Sequence, residues 1–531
     1  MPSDRRPNIL MIVTDQQRAD TIGTLGNDVI RTPHLDRLAR EGTAFRRAYT
    51  CCPVCGPTRH AMSTGTPPHA GLMTDNFGGP RMDVPDFATM LHDAGYQTAG
   101  YGKPYEAFGR PKTHTPPGEP SSLDGFDEFL TTAEDYKPWF AEQGLDWVGE
   151  ARGAGTEYYY IPMLLPYPDR YDRTHWTADR SVEFLRRREG DRPFLLCSHF
   201  GRPHPSWQVP YPWFYLYRAS QMDPPLRPAN YRDYQCRANR FQNRYKWMED
   251  AVGGDDMLLR RIRAAYYAAI SYVDYHVGRI LEALGDEIDN TLVIFTTDHG
   301  EMLGDYGCVG KRCMLEGAVR VPLIARLPGF MAEGRECRGA ASILDIMPTV
   351  LEAAGLDCPE LPESLSLREV ADLEPGERTV FSQFSRSWNG QYFAADGERC
   401  YWHSAADKRE WHFAVGDDVA QGPILEEDDR GRALRAALIE RHRDDPYSDA
   451  VDGGRWKDHD VPANRQHRHP DYGLLFTGPE EKIQADIDAL GPGYSRKVTG
   501  LAQGHLMAEH MVVPTEEEWE KMGCRAPWLE D

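Results

Sequence analysis

The chain has 531 residues, of which 40% are hydrophobic, 11% aromatic and 27% charged. The length excludes a small binding module. The apolar content excludes a disordered chain and a fibrous protein. The formal net charge of −22 argues against nucleic acid and acidic membrane surfaces as partners. An anionic substrate would therefore have to be attracted by local positive charge.

The first apolar run, ILMIV at 9–13, is too short to cross a bilayer or to form the apolar part of a secretory signal. It predicts a buried parallel strand that ends at Asp15. The absence of a clear signal peptide favours a cytoplasmic location and leaves a periplasmic one open. The 11 cysteines have no regular spacing, so we expect no disulfide framework.

Further along the chain, apolar strand patterns alternate with helical ones. Strands are predicted at 43–49, 96–101, 193–199, 290–297 and from 321, and helices at 177–188 and 258–284. This alternation predicts an α/β fold with one large, mostly parallel sheet between helices. In such sheets the chemistry collects at the carboxyl ends of the strands.

The pattern of predicted secondary structure changes near residue 375. Short strand patterns at 379–384, 390–395 and 399–403 predict a small antiparallel sheet. We therefore divide the chain into a catalytic domain, 1–375, and a smaller C-terminal α+β domain, 376–531, which ends in an extended tail. The tail includes an aperiodic stretch, 440–475, and a charged helix near 515–522.

The most specific motif is Cys55-Gly56-Pro57-Thr58-Arg59, followed by Ser63-Thr64-Gly65. It places a thiol at the start of a short helix, where backbone N–H groups favour an anion, and an arginine one turn later on the same face. This motif resembles the signature of the sulfatase family within the alkaline phosphatase superfamily. The resemblance implies an alkaline phosphatase-like fold and a Cys55 that a formylglycine-generating enzyme converts to formylglycine.

The same resemblance implies one divalent cation held by Asp15, Gln16, Asp298, His299 and the modified Cys55. Oxygen and imidazole ligands suit such an ion. Many sulfatases carry Asp-Asp and Asp-Asn at the two strand ends, so Gln16 and His299 depart from the pattern towards choline sulfatases and phosphonate monoester hydrolases. Ca²⁺ is the expected cation, and the neutral amide and the nitrogen donor make Mn²⁺ the alternative.

Substrate-contacting residues are also implied by the resemblance. Lys103 and Lys311 match the two lysines that bind the sulfate group, and Arg59 is a further cation. His204, in a Pro-His-x-Pro segment, matches the histidine that protonates the leaving group. The substrate-binding set is completed by Asn76, which follows the signature, and by Tyr105, which stands where the family usually has histidine. Beside Lys311, Glu316 and Arg320 are expected to form a structural ion pair.

An alternative role for Cys55 is a tetrahedral zinc site. It would be built by Cys52, Cys55, Cys308 and Cys313. Such a site would not explain why Pro57, Arg59 and the Thr64-Gly65 pair accompany Cys55 in the motif. The formylglycine interpretation explains them and is preferred.

The resemblance implies hydrolysis of a sulfate ester through a formylglycine hydrate. Aromatic residues cluster in the sequence after His204 and could form a wall for sugar rings or an aryl group, of which we favour a sulfated carbohydrate: Trp207, Tyr211, Trp213, Phe214, Tyr215 and Tyr217. Two alternatives stay open. One is hydrolysis of phosphonate or phosphate esters, and the other is a catalytically silent protein that binds sulfated glycan. A homo-oligomer is compatible with the sequence.

Overall fold

The computed structural model describes residues 5–76, 80–81, 83–103, 125–145, 160–190, 192–245, 248, 252–416 and 421–460. In these ranges the helices are α1 (Pro33–Glu41), α2 (Cys55–Thr64), α3 (Phe87–Asp93), α4 (Tyr136–Glu142), α5 (Arg173–Arg187), α6 (Arg237–Tyr245), α7 (Asp256–Leu284), α8 (Glu316–Val319), α9 (Ile346–Ala354), α10 (Leu367–Val370) and α11 (Asp429–Arg441). None of these helices combines the length and the apolarity needed to cross a bilayer.

The strands of the same ranges are β1 (Asn8–Asp15), β2 (Thr43–Tyr49), β3 (Gln97–Gly102), β4 (Glu128–Thr131), β5 (Met163–Leu164), β6 (Phe194–Pro203), β7 (Gln208–Val209), β8 (Thr291–Thr297), β9 (Arg320–Val321), β10 (Leu323–Arg326), β11 (Arg335–Ser342), β12 (Val380–Phe384), β13 (Gln391–Ala395), β14 (Arg399–Ser404), β15 (Arg409–Val415), β16 (Gln421–Ile424), β17 (Val451–Asp452) and β18 (Arg455–Trp456).

The large sheet has nine strands in the order β11-β2-β10-β8-β1-β6-β3-β4, with β9 paired to β2. Each strand of the run β8-β1-β6-β3-β4 is parallel to its neighbour, and β11 is parallel to β2. The predicted, mostly parallel α/β sheet is therefore confirmed. β10 differs, because it runs antiparallel to both β8 and β2 and so enters the sheet from the opposite end.

Helices cover both faces of this sheet. Every residue of β1 is buried, and its alternate side chains enter two different cores. Ile9, Met11 and Val13 pack in one core, which includes residues of α3 and α9. Leu10 and Ile12 pack in the other, which includes residues of α1, α5 and α7. Burial on both faces is the reason why the strand has no polar alternation.

The predicted antiparallel sheet is also confirmed, as five strands in the order β12-β13-β14-β15-β16. One face packs on α11 through Leu434 and Leu438. The other face shares a core with the large sheet's edge, where Phe393 and Trp402 belong to the same cluster as Val54. The small sheet thus supports the loop that leads into α2.

Candidate active site

The carboxyl ends of four neighbouring strands meet at one edge of the large sheet. β8, β1, β6 and β3 are adjacent and parallel, so the residues at their ends lie side by side. Asp15 ends β1, Asp298 follows β8, Lys103 follows β3 and His204 follows β6. The topology alone therefore brings four of the predicted site residues together.

Cys55 is the first residue of α2. A Cβ on the next residue, Gly56, would lie 2.6 Å from Met73 Cε and 3.0 Å from Asn76 Oδ1, so a larger residue here would have to displace these two side chains. Asn76 Oδ1 accepts a hydrogen bond from the Gly56 N–H at 2.8 Å. Pro57 lies in the first turn, where its missing N–H costs nothing. Asn76 therefore helps to hold the helix start that carries the thiol.

Four buried groups form a cluster around this thiol. One atom each of Asp15, Cys55, Asp298 and His299 lies within 4.8 Å of the others. Cys55 Sγ is 3.2 Å from His299 Nε2 and 3.9 Å from Asp15 Oδ1. His299 Nδ1 donates to the Gly300 carbonyl at 3.1 Å, so Nε2 presents its lone pair to the cluster. This is the orientation of a metal-binding histidine.

Two cations neutralise the carboxylates. Arg59 Nε donates to Asp298 Oδ2 at 3.0 Å, and its Nη2 lies 3.5 Å from Asp15 Oδ2. The Lys103 ammonium contacts the same oxygen of Asp15. Arg59 Nη1 also lies 3.1 Å from His199 Nδ1, which accepts because a guanidinium can only donate. Both carboxylates are thus paired with cationic side chains.

A third cation, Lys311, shows that the donor set fits a positive ion. Its ammonium lies 2.9 Å from Gln16 Oε1, 3.3 Å from Cys55 Sγ and 3.1 Å from His299 Nε2. These acceptor atoms converge on one positive charge. Together with the two carboxylates they form the oxygen and nitrogen set that a divalent cation requires. The predicted metal-ligating residues therefore fit the ion.

The charges in the cluster shift its pKa values. Burial by itself raises the pKa of Asp298, but the permanent charges of Arg59, Lys103 and Lys311 outweigh burial and hold it well below the usual value. Burial lowers the pKa of His299, and the neighbouring lysines lower it further. At neutral pH Asp298 is therefore a carboxylate and His299 a neutral imidazole.

His204 is half-buried at the mouth of the cluster. Its Nδ1 lies 2.5 Å from the Pro205 carbonyl, so Nδ1 carries a proton and donates it. Burial lowers the pKa of His204 well below the usual value, and the charges of Lys311 and Lys103 lower it further. An anion placed against these two lysines would reverse part of that shift.

The structure also locates the remaining predicted residues. Tyr105 lies outside the described residues. The ion pair is confirmed, since Arg320 Nη1 is 3.2 Å from Glu316 Oε2 in a buried setting. The zinc alternative finds no support in the described ranges. There the metal-binding group around Cys55 contains no other cysteine, and Cys52 and Cys308 donate to backbone carbonyls.

The aromatic residues after His204 divide into two sets. Trp207 and Tyr217 are buried, and Trp213 and Phe214 pack partly against the same core. Tyr211 and Tyr215 are 67% and 63% exposed, with their ring centroids 6.4 Å apart. Only this pair has the exposure that a ring-binding surface needs.

Sequence reasoning missed two groups that contact the cluster. His199, which lies within β6, contacts Arg59 directly. Glu301, three residues after Asp298, contacts the side chain of Gln16. A polar residue at the carboxyl end of a parallel strand was the available signal for both.

The chain is similar in sequence to sulfatases and in fold to a phosphonate monoester hydrolase. The Sulfatase family profile matches residues 7–356. The chain is 30% identical over 454 residues to an arylsulfatase of Clostridium perfringens, covering 78% of this chain and 87% of the relative. It is 27% identical over 433 residues to an N-acetylglucosamine-6-O-sulfatase of Bacteroides thetaiotaomicron, covering 70% and 72%. The crystal structure of a phosphonate monoester hydrolase of Agrobacterium radiobacter superposes with a TM-score of 0.66 at 24% identity, covering 82% and 94%.

Fold, site and sequence similarity together define a hydrolase of the alkaline phosphatase superfamily. The chain belongs to the sulfatase family. Membership of this family implies sulfuric ester hydrolysis, a metal ion and a formylglycine, and the buried cluster of Asp15, Cys55, Asp298 and His299 is where the last two would lie.

Proposed function

We propose that this chain hydrolyses a sulfate ester of a carbohydrate, with residue 55 as formylglycine. The contact of Cys55 with His299, Lys311 and two carboxylates in one buried cluster carries the proposal. The relative named N-acetylglucosamine-6-O-sulfatase supports a carbohydrate substrate. Because Cys55 is almost fully buried in the fold, its conversion needs a formylglycine-generating enzyme that reaches the thiol before the cluster closes.

Asp15, Gln16, Asp298 and His299 would hold the divalent cation. When bound, such an ion acts as a Lewis acid that favours a deprotonated nucleophile at neutral pH. We propose Ca²⁺, because most of the donors are oxygens. Mn²⁺ is the alternative, because Gln16 and His299 are neutral donors and one of them is nitrogen.

The cations of the chain bind the sulfate group. Lys311 lies against the thiol, and Arg59 and Lys103 lie against the two carboxylates beside it. All three would donate to the sulfuryl oxygens, whose negative charge they stabilise during transfer. The bound anion offsets the charges of Lys103 and Lys311 and thereby raises the pKa of His204. His204 then gives a proton to the departing alcohol oxygen.

A mass spectrum of the tryptic peptide 48–59 tests the nucleophile. Conversion of the Cys55 side chain from CH₂SH to CHO removes one sulfur and two hydrogens and adds one oxygen. Cys51 and Cys52 lie in the same peptide and serve as the internal control, since they remain available for alkylation. An unconverted Cys55 in protein from the native host would overturn the proposal and favour the silent glycan-binding protein.

Sulfate release from glucosamine 6-sulfate tests the reaction, with Cys55→Ala as the matched inactive control. A phosphonate monoester hydrolase with this fold makes phosphonate esters the second candidate, and a phenyl phosphonate ester is assayed beside the sulfate. Faster turnover of the phosphonate would reverse the order of the two candidates. Loss of both activities in Cys55→Ala would assign them to one site.

A further inference from the structure

Gln16 is held on every side by groups of known polarity. Its backbone N–H donates to Asp298 Oδ1 at 3.0 Å, and its carbonyl accepts from Tyr266 OH at 2.6 Å. Its φ is +68°, a conformation that non-glycine residues rarely adopt. The side chain is buried. The residue therefore has one backbone position, and the only remaining choice is which end of its amide faces the cluster.

That choice is decided by Glu301 and Lys311. A carboxylate can only accept hydrogen bonds, and Gln16 Nε2 donates to Glu301 Oε2. An ammonium can only donate, and Lys311 Nζ donates to Gln16 Oε1 at 2.9 Å. The amide oxygen therefore points at the metal cluster and the NH₂ group points away from it.

Glu301 is itself held in one orientation. Its Oε1 accepts from the backbone N–H of Leu303 at 3.1 Å and from the N–H of Gly310. Its Oε2 accepts from Tyr160 OH at 3.2 Å, besides the NH₂ of Gln16. Because Gly310 precedes Lys311, the same carboxylate also fixes the loop that carries this lysine.

We propose that Glu301 is a positioning residue that sets the amide of Gln16 with its oxygen towards the divalent cation. The inference rests on the proposed function, because it assigns the direction of one ligand in that metal site. A neutral amide can present either an acceptor or a donor, whereas an aspartate has oxygens at both ends. A chain with Gln at this position therefore needs a neighbour that determines the orientation, and Glu301 meets that need.

Glu301→Gln should reverse the orientation of the Gln16 amide, and the substituted side chain keeps the size and shape of the original one. The N–H groups of Leu303 and Gly310 require an acceptor, so the new side chain turns its oxygen to them and its NH₂ group to Gln16. Gln16 then turns its own oxygen towards that NH₂ group, which places its Nε2 hydrogens against the cation. We expect Ca²⁺ and Mn²⁺ to bind about 10- to 100-fold more weakly, the usual loss when an outer-shell partner of a metal ligand is removed.

The measurement is calorimetric titration of the metal-free full-length chain with CaCl₂ and with MnCl₂. Tyr160→Phe is the matched control, since it removes another donor from the same oxygen of Glu301 and gives Gln16 no reason to turn. Its metal affinity should stay close to that of the unsubstituted protein. Circular dichroism of the metal-free variants reports whether they fold.

The decisive comparison repeats Glu301→Gln in a protein that carries Gln16→Glu. Both atoms at the end of a glutamate side chain are oxygens, so either orientation presents an oxygen to the cation. Glu301→Gln should weaken metal binding with Gln at 16 and should not weaken it with Glu at 16, where the new amide also relieves the repulsion between two carboxylates. A merely structural role for Glu301 would lower affinity in both backgrounds and would overturn the inference.

The possible failures are distinguishable. If the unsubstituted chain binds neither ion, the metal site of the proposed function fails. If the unsubstituted chain and Glu301→Gln bind with equal affinity, only the positioning role is wrong. If the single variant does not fold, the double variant decides, because it restores a complementary pair at 16 and 301. A double variant that folds and binds Ca²⁺ supports the inference, and one that does not bind overturns it.

Discussion

The buried pair Arg202–Asp172 holds the strand end that presents His204, and its removal gives a worked prediction. Arg202 Nη2 lies 2.6 Å from Asp172 Oδ2, and each side chain is 2% exposed. Asp172 is also the N-cap of α5, where its carboxylate accepts from the Thr174 N–H at 2.8 Å. Burial raises the pKa of Asp172, but Arg202 and Thr174 outweigh burial and the pKa is lowered overall.

Asp172→Asn removes the charge and keeps the cap, because asparagine caps helices as well as aspartate does. The guanidinium of Arg202 is then buried without a counter-charge, which costs about 3–5 kcal/mol of stability. Arg202→Met leaves the carboxylate of Asp172 in the same situation and costs a similar amount. The double variant has no buried charge at this place, so it should recover most of the loss.

The assay is urea unfolding of the four proteins of this cycle, followed by tryptophan fluorescence and by circular dichroism. Free energies are compared only where the two signals give coincident transitions, as a two-state analysis requires. Turnover of a sulfate ester should recover with stability in the double variant, because Arg202 lies at the end of β6, two residues before His204, and the restored strand end would again position that histidine. Losses that simply add in the double variant would refute the reasoning.

Three further predictions concern single residues. His204→Ala should slow alkyl and sugar sulfates by about 10²- to 10⁴-fold and an activated aryl sulfate far less, and equal losses would contradict an acid role. Lys103→Tyr should reduce sulfate ester hydrolysis more than phosphonate hydrolysis, whereas parallel losses would remove it from substrate choice. Burial raises the pKa of Asp274 to about 7, so stability should fall as pH rises from about 4 to 7. Asp274→Asn should flatten that dependence of the thermal midpoint.

The sign of the Asp274 prediction follows from proton binding. The folded protein retains a proton on this carboxyl up to the raised pKa, while the unfolded chain releases it near the ordinary value of about 3.9. The folded state thus binds more protons between these two pKa values, and the stability contributed at low pH is lost through that window. Burial raises the pKa of Asp274 and outweighs the hydrogen bonds from the backbone N–H groups of Leu35 and His34 at the start of α1, which lower it.

The fold was predictable where burial leaves a strong local pattern. The apolar runs of β1 and β8 predicted central parallel strands, because strands covered on both faces lose their polar alternation. The direction of β10 was not predictable. Its apolar residues, Leu323, Ile324 and Ala325, would be buried whichever way the strand ran, so its antiparallel pairing with β8 and β2 left no mark on the sequence pattern.

The site was predictable where a residue follows a strand, and much less so where two side chains meet across the chain. The resemblance to sulfatases placed Asp15 and Asp298 at strand ends, and the motif around Cys55 supplied the thiol and Arg59. The contact between Gln16 and Glu301 joins positions 285 residues apart. No periodicity or spacing connects these two positions, so the orientation of the amide became visible only with the geometry.

The charge of the cluster explains how a chain with a net charge of −22 binds an anion. Two carboxylates, Asp15 and Asp298, face three cations, Arg59, Lys103 and Lys311, so one positive charge is left over before any metal binds. A carboxylate at position 16 would cancel that surplus, whereas Gln16 preserves it. The negative charge of Glu301 lies one layer further out, where it orients the amide without facing the substrate. A neutral ligand at position 16, with the negative charge placed behind it, leaves the site positively charged. The site can therefore attract a sulfate ester at short range, although the field of the whole chain repels it.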